Sequence, residues 1–277
     1  MVPARSISLP TRLIHPKAQR VEEEMKKLQA LESSPSDASR VLLGLARLVE
    51  LYDFVNEQVI LSPQSRQALN LPCHAELMQN SLDESILLLD VCDIARDLVG
   101  TFKEQVQDLQ SALRRRGGDF SSIEASIRSY ITFQKKHKKA ASRQLSSLVR
   151  MQTRKDKRPS LVNFSEVDQH TSMVSNILKQ SNASTVSVFG SLLESFLSLQ
   201  AEKTEGEKGR RSLLGKLMSG LVGKEKRRER LGDEEVKRMV RRLGELNLSL
   251  VAIHEELSCL SRRLIQHRVS LLNIVST

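Results

Sequence analysis

Three features of the sequence predict an all-α fold, an elongated bundle of long antiparallel helices. Of 277 residues, 42 are Leu, 7 are Phe, 2 are Tyr and none is Trp. The core is therefore aliphatic, whereas strand-rich folds favour aromatic and β-branched runs. Gly and Pro number 12 and 7, too few for the many tight turns of a sandwich or barrel. Apolar residues recur at helical spacing along several stretches, and the last stretch keeps a seven-residue period. The length allows one large or two small domains. The reading here is an extended arm over residues 1–16 and a single helical-bundle domain over 17–277.

Pro3, Pro10 and Pro16 bias their predecessors away from helix, which makes the arm extended. Lys17 to Glu32 reads as a short helix. Ser33 to Asp37 is a loop that also supplies an N-cap. From Ala38 to Leu61, helical spacing connects Leu42, Leu45, Leu48, Tyr52, Val55 and Val59. Pro63 and Pro72 bracket a short connector. A long helix follows from about His74 to Arg116, with Ala95, Leu98, Phe102, Val106, Leu109 and Leu113 on one face. Gly117-Gly118 stops it. Asp119 or Ser121 caps the next helix, to about Met151, and Pro159 ends that segment. Another helix runs from about Ser165 to Gln200. Residues 202–232 form a flexible, basic linker within the domain.

The last helix, Asp233 to Asn273, is about 60 Å long at 1.5 Å per residue. Its a positions are Val236, Leu243, Leu250, Leu257, Leu264 and Leu271; its d positions are Met239, Leu246, Ile253, Leu260, His267 and Ile274. This period suits a coiled coil and also a long helix inside a bundle. The chain owns enough long helices to fill the seam itself. Homodimerisation through the seam is the alternative, so the expected particle is a monomer or a homodimer. His267 reads as a hydrogen-bonded core or edge histidine.

Cys73, Cys92 and Cys259 lie far apart and are odd in number, which points to a reducing compartment and a cytoplasmic protein. Arg5, Arg12, Lys17 and Arg20 precede the first acid, Glu22, as in an organelle transit peptide, but the three prolines interrupt a presequence helix. The weakly charged stretch from Gln180 to Ala201 carries six serines, which argue against a membrane span.

No enzyme, cofactor or metal site is expected. Pro72-Cys73-His74-Ala75-Glu76 has the order opposite to a zinc deaminase and lacks its second thiolate. Asp90, Asp93 and Asp97 share a helix face with Arg96 nearby and read as a solvated acidic face. Gly215 and Gly220 have P-loop spacing without the following Lys-Ser/Thr.

The net charge is +10. Lys135, Lys136, Lys138 and Lys139 open a run of ten Lys/Arg with one acid that ends at Arg158. Such a run reads first as a solvated helix face. As a functional site it would contact anionic groups, yet Phe133 is the only nearby aromatic for base stacking, so no sequence-specific nucleic acid is expected. Lys226, Arg227 and Arg228 flank the stripe Leu213, Leu214, Leu217, Met218, Leu221 and Val222. That pattern fits an anionic membrane surface or a calmodulin-type partner. Three glycines within it weaken a helix by about 1 kcal/mol each. In the arm, Arg5, Ser8 and Pro10 match the phospho-dependent pattern of 14-3-3 ligands. Phosphorylated Ser8 would offer nearly two charges and three strong acceptors to an Arg cluster.

Several segments together carry a resemblance. They are Arg5-Ser6-Ile7-Ser8-Leu9-Pro10 with His15-Pro16, Leu51-Tyr52-Asp53, Leu89 to Asp97, Leu260 to Ile265 and Arg268 to Asn273. In this order they span nearly the whole chain, and the sequence resembles the plant BYPASS-related family, the plant domain of unknown function 241. The resemblance implies an all-helical plant protein with a role in root and shoot development. The family has no established catalytic residues to carry over. Ser261 departs from the aromatic expected there, and residues 202–232 depart as well.

Overall fold

The computed structural model describes residues 16–32, 38–115, 120–156, 169–198 and 233–276. Among them lie seven α-helices and no strand. They are α1 (Pro16–Glu32), α2 (Ala38–Phe54), α3 (Pro63–Leu69), α4 (Ala75–Arg114), α5 (Phe120–Asp156), α6 (Gln169–Ser198) and α7 (Asp233–Val275). The all-α bundle expected from the sequence is the fold observed. The N-terminal arm, the loop after α1, the Gly117-Gly118 stop and the basic linker lie outside the described residues.

Contacts across the helices fix their directions. Along α4 and α7, Leu82 meets Arg268, Cys92 meets Leu257 and Gln110 meets Val240, so the two run antiparallel. Their interface is the largest among the described helices. α5 is antiparallel to α4, because His137 meets Leu98 while Phe133 and Tyr130 meet Phe102. α6 runs alongside α4 in the same direction, from the Asn182–Glu84 contact to the Phe196–Phe102 contact. α2 packs antiparallel to α6 and also against α7. α1 covers the α2–α6 edge.

The core is one continuous aliphatic cluster running the length of the bundle. The a-position residues Leu243, Leu250, Leu257, Leu264 and Leu271 are all buried in it. Helices of the same chain thus occupy the heptad seam, with α4 and α2 against it. Gly44 on α2 lets α6 approach closely: an added Cβ would sit 3.3 Å from a Val188 methyl.

Two expectations need correction. The stretch bracketed by Pro63 and Pro72 is not a plain connector but holds α3 and a 3₁₀ turn, Pro72–His74. Ser62 caps α3 by accepting from the Ser65 amide at 3.3 Å, and Pro63 takes the first helical position, where a missing N–H costs nothing. The helix beginning at Ala38 does not continue regularly to Leu61. It widens into a π-helical turn over Val55–Ile60, where the Leu61 amide donates to the Asn56 carbonyl at 3.0 Å. Elsewhere the helix ends differ from expectation by a few residues, most at α5, which extends to Asp156.

α6, the serine-rich segment, is a central helix rather than a membrane span. Ser181 and Thr185 donate to carbonyls four residues back, at 2.8 Å each, and so bury their hydroxyls without loss. No described helix is long and apolar enough to cross a membrane.

Leu257 is completely buried where α7 crosses α4. Leu257→Ala should lower unfolding stability by roughly 3 kcal/mol, the range for cavity-forming leucine truncations. Urea denaturation followed by circular dichroism checks this, with an unchanged m-value expected.

Candidate functional site

The π-helical turn at the end of α2 packs both Val55-Asn56 and Val59-Ile60 into the core. Such turns are uncommon and often mark functional positions. Here the turn places a polar residue, Asn56, in an otherwise apolar stripe, facing α7. His267 Nδ1 lies 2.8 Å from Asn56 Oδ1. An amide oxygen only accepts, so this nitrogen carries the proton and donates. Burial pushes the His267 pKa down to about 4, keeping the ring neutral. The ring meets Tyr52 edge-on, with centroids 5.2 Å apart.

From Tyr52 the polar chain continues into α6. Thr185 gives its hydroxyl proton to the Ser181 carbonyl, so the Tyr52 hydroxyl donates to Thr185 Oγ1 at 3.0 Å. Asn182 Oδ1 lies a further 3.4 Å from the same hydroxyl, and its Nδ2 donates to Glu84 on α4. Burial raises the Tyr52 pKa, helped by the Glu84 charge. Next to His267 in sequence, Arg268 Nη1 donates to the Leu82 carbonyl at 2.7 Å and to Ser85 Oγ at 2.9 Å. Arg263 pairs with Asp53 at 2.8 Å on the half-exposed α2–α7 edge. One polar seam therefore links α2, α4, α6 and α7 at a single level. The Asn56 amide nitrogen is buried within it without a hydrogen-bond partner.

Other polar groups sit apart from this seam. Ser62 Oγ and His170 Nε2 each lie 2.9 Å from Ser65 Oγ. Ser65 is fully buried and Ser62 serves as the α3 cap, so the pairing ties α3 to α6 and offers no accessible nucleophile. His137 stacks in a cluster with Phe102, Phe133 and Phe196 and bonds the Leu98 carbonyl at 2.9 Å. Desolvation lowers its pKa, opposed by that bond. Burial pushes the Cys92 thiol up to about 12, which removes thiolate reactivity. Between α4, α5 and α6 there is a cavity of only about 20 Å³, room for a single water.

The residues singled out in the sequence fall in different places. Lys135, Lys136, Lys138 and Lys139 are exposed around the buried His137 on α5. Asp90, Asp93 and Asp97 are exposed, with Arg96 3.0 Å from Asp93. Among the described residues no His, Cys, Asp and Glu group could hold a metal. Arg5, Ser8, Pro10, Lys226, Arg227 and Arg228 lie outside the described residues. Sequence reasoning missed Asn56, Glu84, Asn182 and Thr185 as partners. Asn56 did leave a trace, a polar residue adjoining Val55 on a buried stripe.

Two buried histidines, His267 in the seam and His137 apart from it, make stability depend on pH. His267 and His137 are neutral in the fold and gain protons more readily when unfolded, near the usual histidine pKa of about 6.5. Their contribution is present above that pH and is lost as pH falls, for His267 as pH approaches about 4. The unfolding free energy should therefore decline between pH 6.5 and 4, with His267 contributing up to about 1.4 kcal/mol per pH unit. His267→Asn should flatten the decline. An equally steep decline in that variant would exclude His267 as a source.

Of the segments that carried the family resemblance, Arg5 to Pro10 lies outside the described residues, and those from Leu51 onward contribute to this seam or to the α4–α7 contact beside it. Tyr52 and Asp53 come from one, Cys92 from the second, and Arg263 and Arg268 from the C-terminal pair. Comparison with curated proteins and with solved structures gives no match. Comparison with protein families gives a match over residues 44–274 to the family described as Protein BPS1. That span includes α3 to α6 whole, the larger part of α2 and almost all of α7, and the chain belongs to this plant family.

Proposed function

We propose that the protein is a non-enzymatic regulator in plant root and shoot development that acts by binding another protein. Membership of a plant family of developmental regulators supports the coarse role. The observation that carries the binding reading is the outer face of α7. Ile265, Val269 and Leu272 are 50%, 47% and 39% exposed. Their spacing of four and three residues aligns them in one stripe. The antiparallel register set by Arg268 and Ser85 puts the exposed Ile86 of α4 level with Ile265. Apolar anchors at i, i+4 and i+7 are how helix faces engage protein partners, and clustered exposed apolar side chains mark such surfaces.

A second reading, a peripheral membrane- or polyanion-binding adaptor, draws on the exposed lysines 135, 136, 138 and 139 and on the basic sequence around Lys226 to Arg228. A 14-3-3 protein recognising phosphorylated Ser8 is a further candidate partner under the first reading.

The double variant Ile265→Asp/Val269→Asp should fold with stability within about 0.5 kcal/mol of the parent, as surface substitutions do. It should lose the complex that the parent forms in root extract, as read by affinity purification and native mass. An unchanged complex refutes the α7 stripe. Ser8→Ala should abolish a phosphate-dependent 14-3-3 pull-down, and retention there removes that partner. Flotation with anionic liposomes at low salt tests the second reading, which fails if the parent does not float.

A further inference from the structure

The last turn of α4 and the first turns of α7 flank an open groove of about 420 Å³, a volume within the roughly 300–1,000 Å³ of small-ligand sites. Its walls are Gln110, Leu113 and Arg114 from α4, and Val236, Lys237, Val240, Arg241 and Gly244 from α7. No carboxylate is among these residues. Arg114 and Arg241 are exposed and have no ion-pair partner among the described residues. Gln110 is nearly buried, and its amide is fixed by donation to the Val240 carbonyl at 3.1 Å. Gly244 keeps the wall open there, since an added Cβ would lie 3.0 Å from Gln110 Nε2. Leu113, Val236 and Val240 supply apolar surface between the cations.

We propose that this groove between α4 and α7 binds a phosphate-bearing ligand. Two guanidinium groups in a concave wall match phosphate oxygens through paired N–H bonds. The apolar patch would take the ring or chain that carries the phosphate. The end dipoles of the two helices oppose each other at about half a charge each, so among the lining residues the side-chain cations set the sign, with Asp233, Glu234 and Glu235 preceding them in the first turn of α7. The groove is distinct from the α5 lysine face. His137 is level with Leu98, and Gln110 lies twelve residues further along α4, about 18 Å at 1.5 Å per residue. The shared chemistry is a phosphomonoester, whether on a free small molecule or on a phosphoinositide headgroup.

The test uses the full chain, with inositol trisphosphate in calorimetry. In parallel it uses phosphatidylcholine vesicles containing either phosphatidylinositol phosphate or phosphatidylserine at equal charge. Arg114→Gln and Arg241→Gln should each weaken phosphate binding about tenfold, the loss expected for one charge-assisted contact. Gly244→Met, which leaves the charge unchanged, should weaken it by obstructing the wall. Replacing lysines 135, 136, 138 and 139 together with Gln should leave it unaltered. Groove-dependent binding of the soluble probe alone identifies a free phosphate ligand, and groove-dependent preference for phosphatidylinositol phosphate vesicles identifies the lipid. Absence of binding to both probes overturns the proposal. So does equal loss in the α5 variant, or indifference to all three groove variants.

Discussion

Everything in this molecule follows from laying one 43-residue helix, α7, along α4 in antiparallel register. A helix with a leucine or equivalent every three or four residues cannot leave that row in water. Burying one fully apolar side chain is worth about 1.5–3 kcal/mol, and α7 repeats this over most of its length. The partner must then be long, which α4 is, with 40 residues. α2, α5 and α6 are fitted around that pair, and their lengths and directions are consequences of it.

Apolar burial gives affinity between rods but little registry, because rows of leucine tolerate a slide of one heptad. The polar seam supplies the registry. A shift of one turn would separate His267 from Asn56 and Arg268 from the Leu82 carbonyl, leaving buried groups unpaired at about 1–3 kcal/mol each. A single buried polar contact plays the same part in coiled coils. The chain Glu84–Asn182–Tyr52–Thr185 extends the constraint to α6. The ionisable groups most displaced from their ordinary behaviour, His267, Tyr52 and Cys92, are therefore structural: buried, bonded and held neutral.

With its titratable interior committed to holding helices in place, the bundle presents its remaining chemistry outside. The exposed apolar row of α7, the lysine face of α5 and the arginine-rimmed groove at the α4–α7 end are separate surfaces of the bundle. That arrangement is compatible with the proposed binding of another protein. It also separates the effects of surface substitutions from those in the seam, where a change in Tyr52 or His267 acts through folding.

Periodicity alone determined the fold class, the long helices and the buried face of α7, because a 3.5–3.6 residue repeat of apolar side chains has one low-energy solution. Leu243, Leu250, Leu257, Leu264 and Leu271 were legible for that reason. The lysines of α5 were legible as a charged face, since charge stays in water. The π-helical turn at Val55–Ile60 was not legible, nor was the helix between Pro63 and Leu69. A turn of that kind is stabilised by what it packs against rather than by its own residues. The pairing of Asn56 with His267, 211 positions apart, and of Glu84 with Asn182 depends on which helices become neighbours. The α4–α7 groove likewise exists only once two helix ends meet. Local spacing records which face of a helix is apolar; only packing decides which polar groups meet across it.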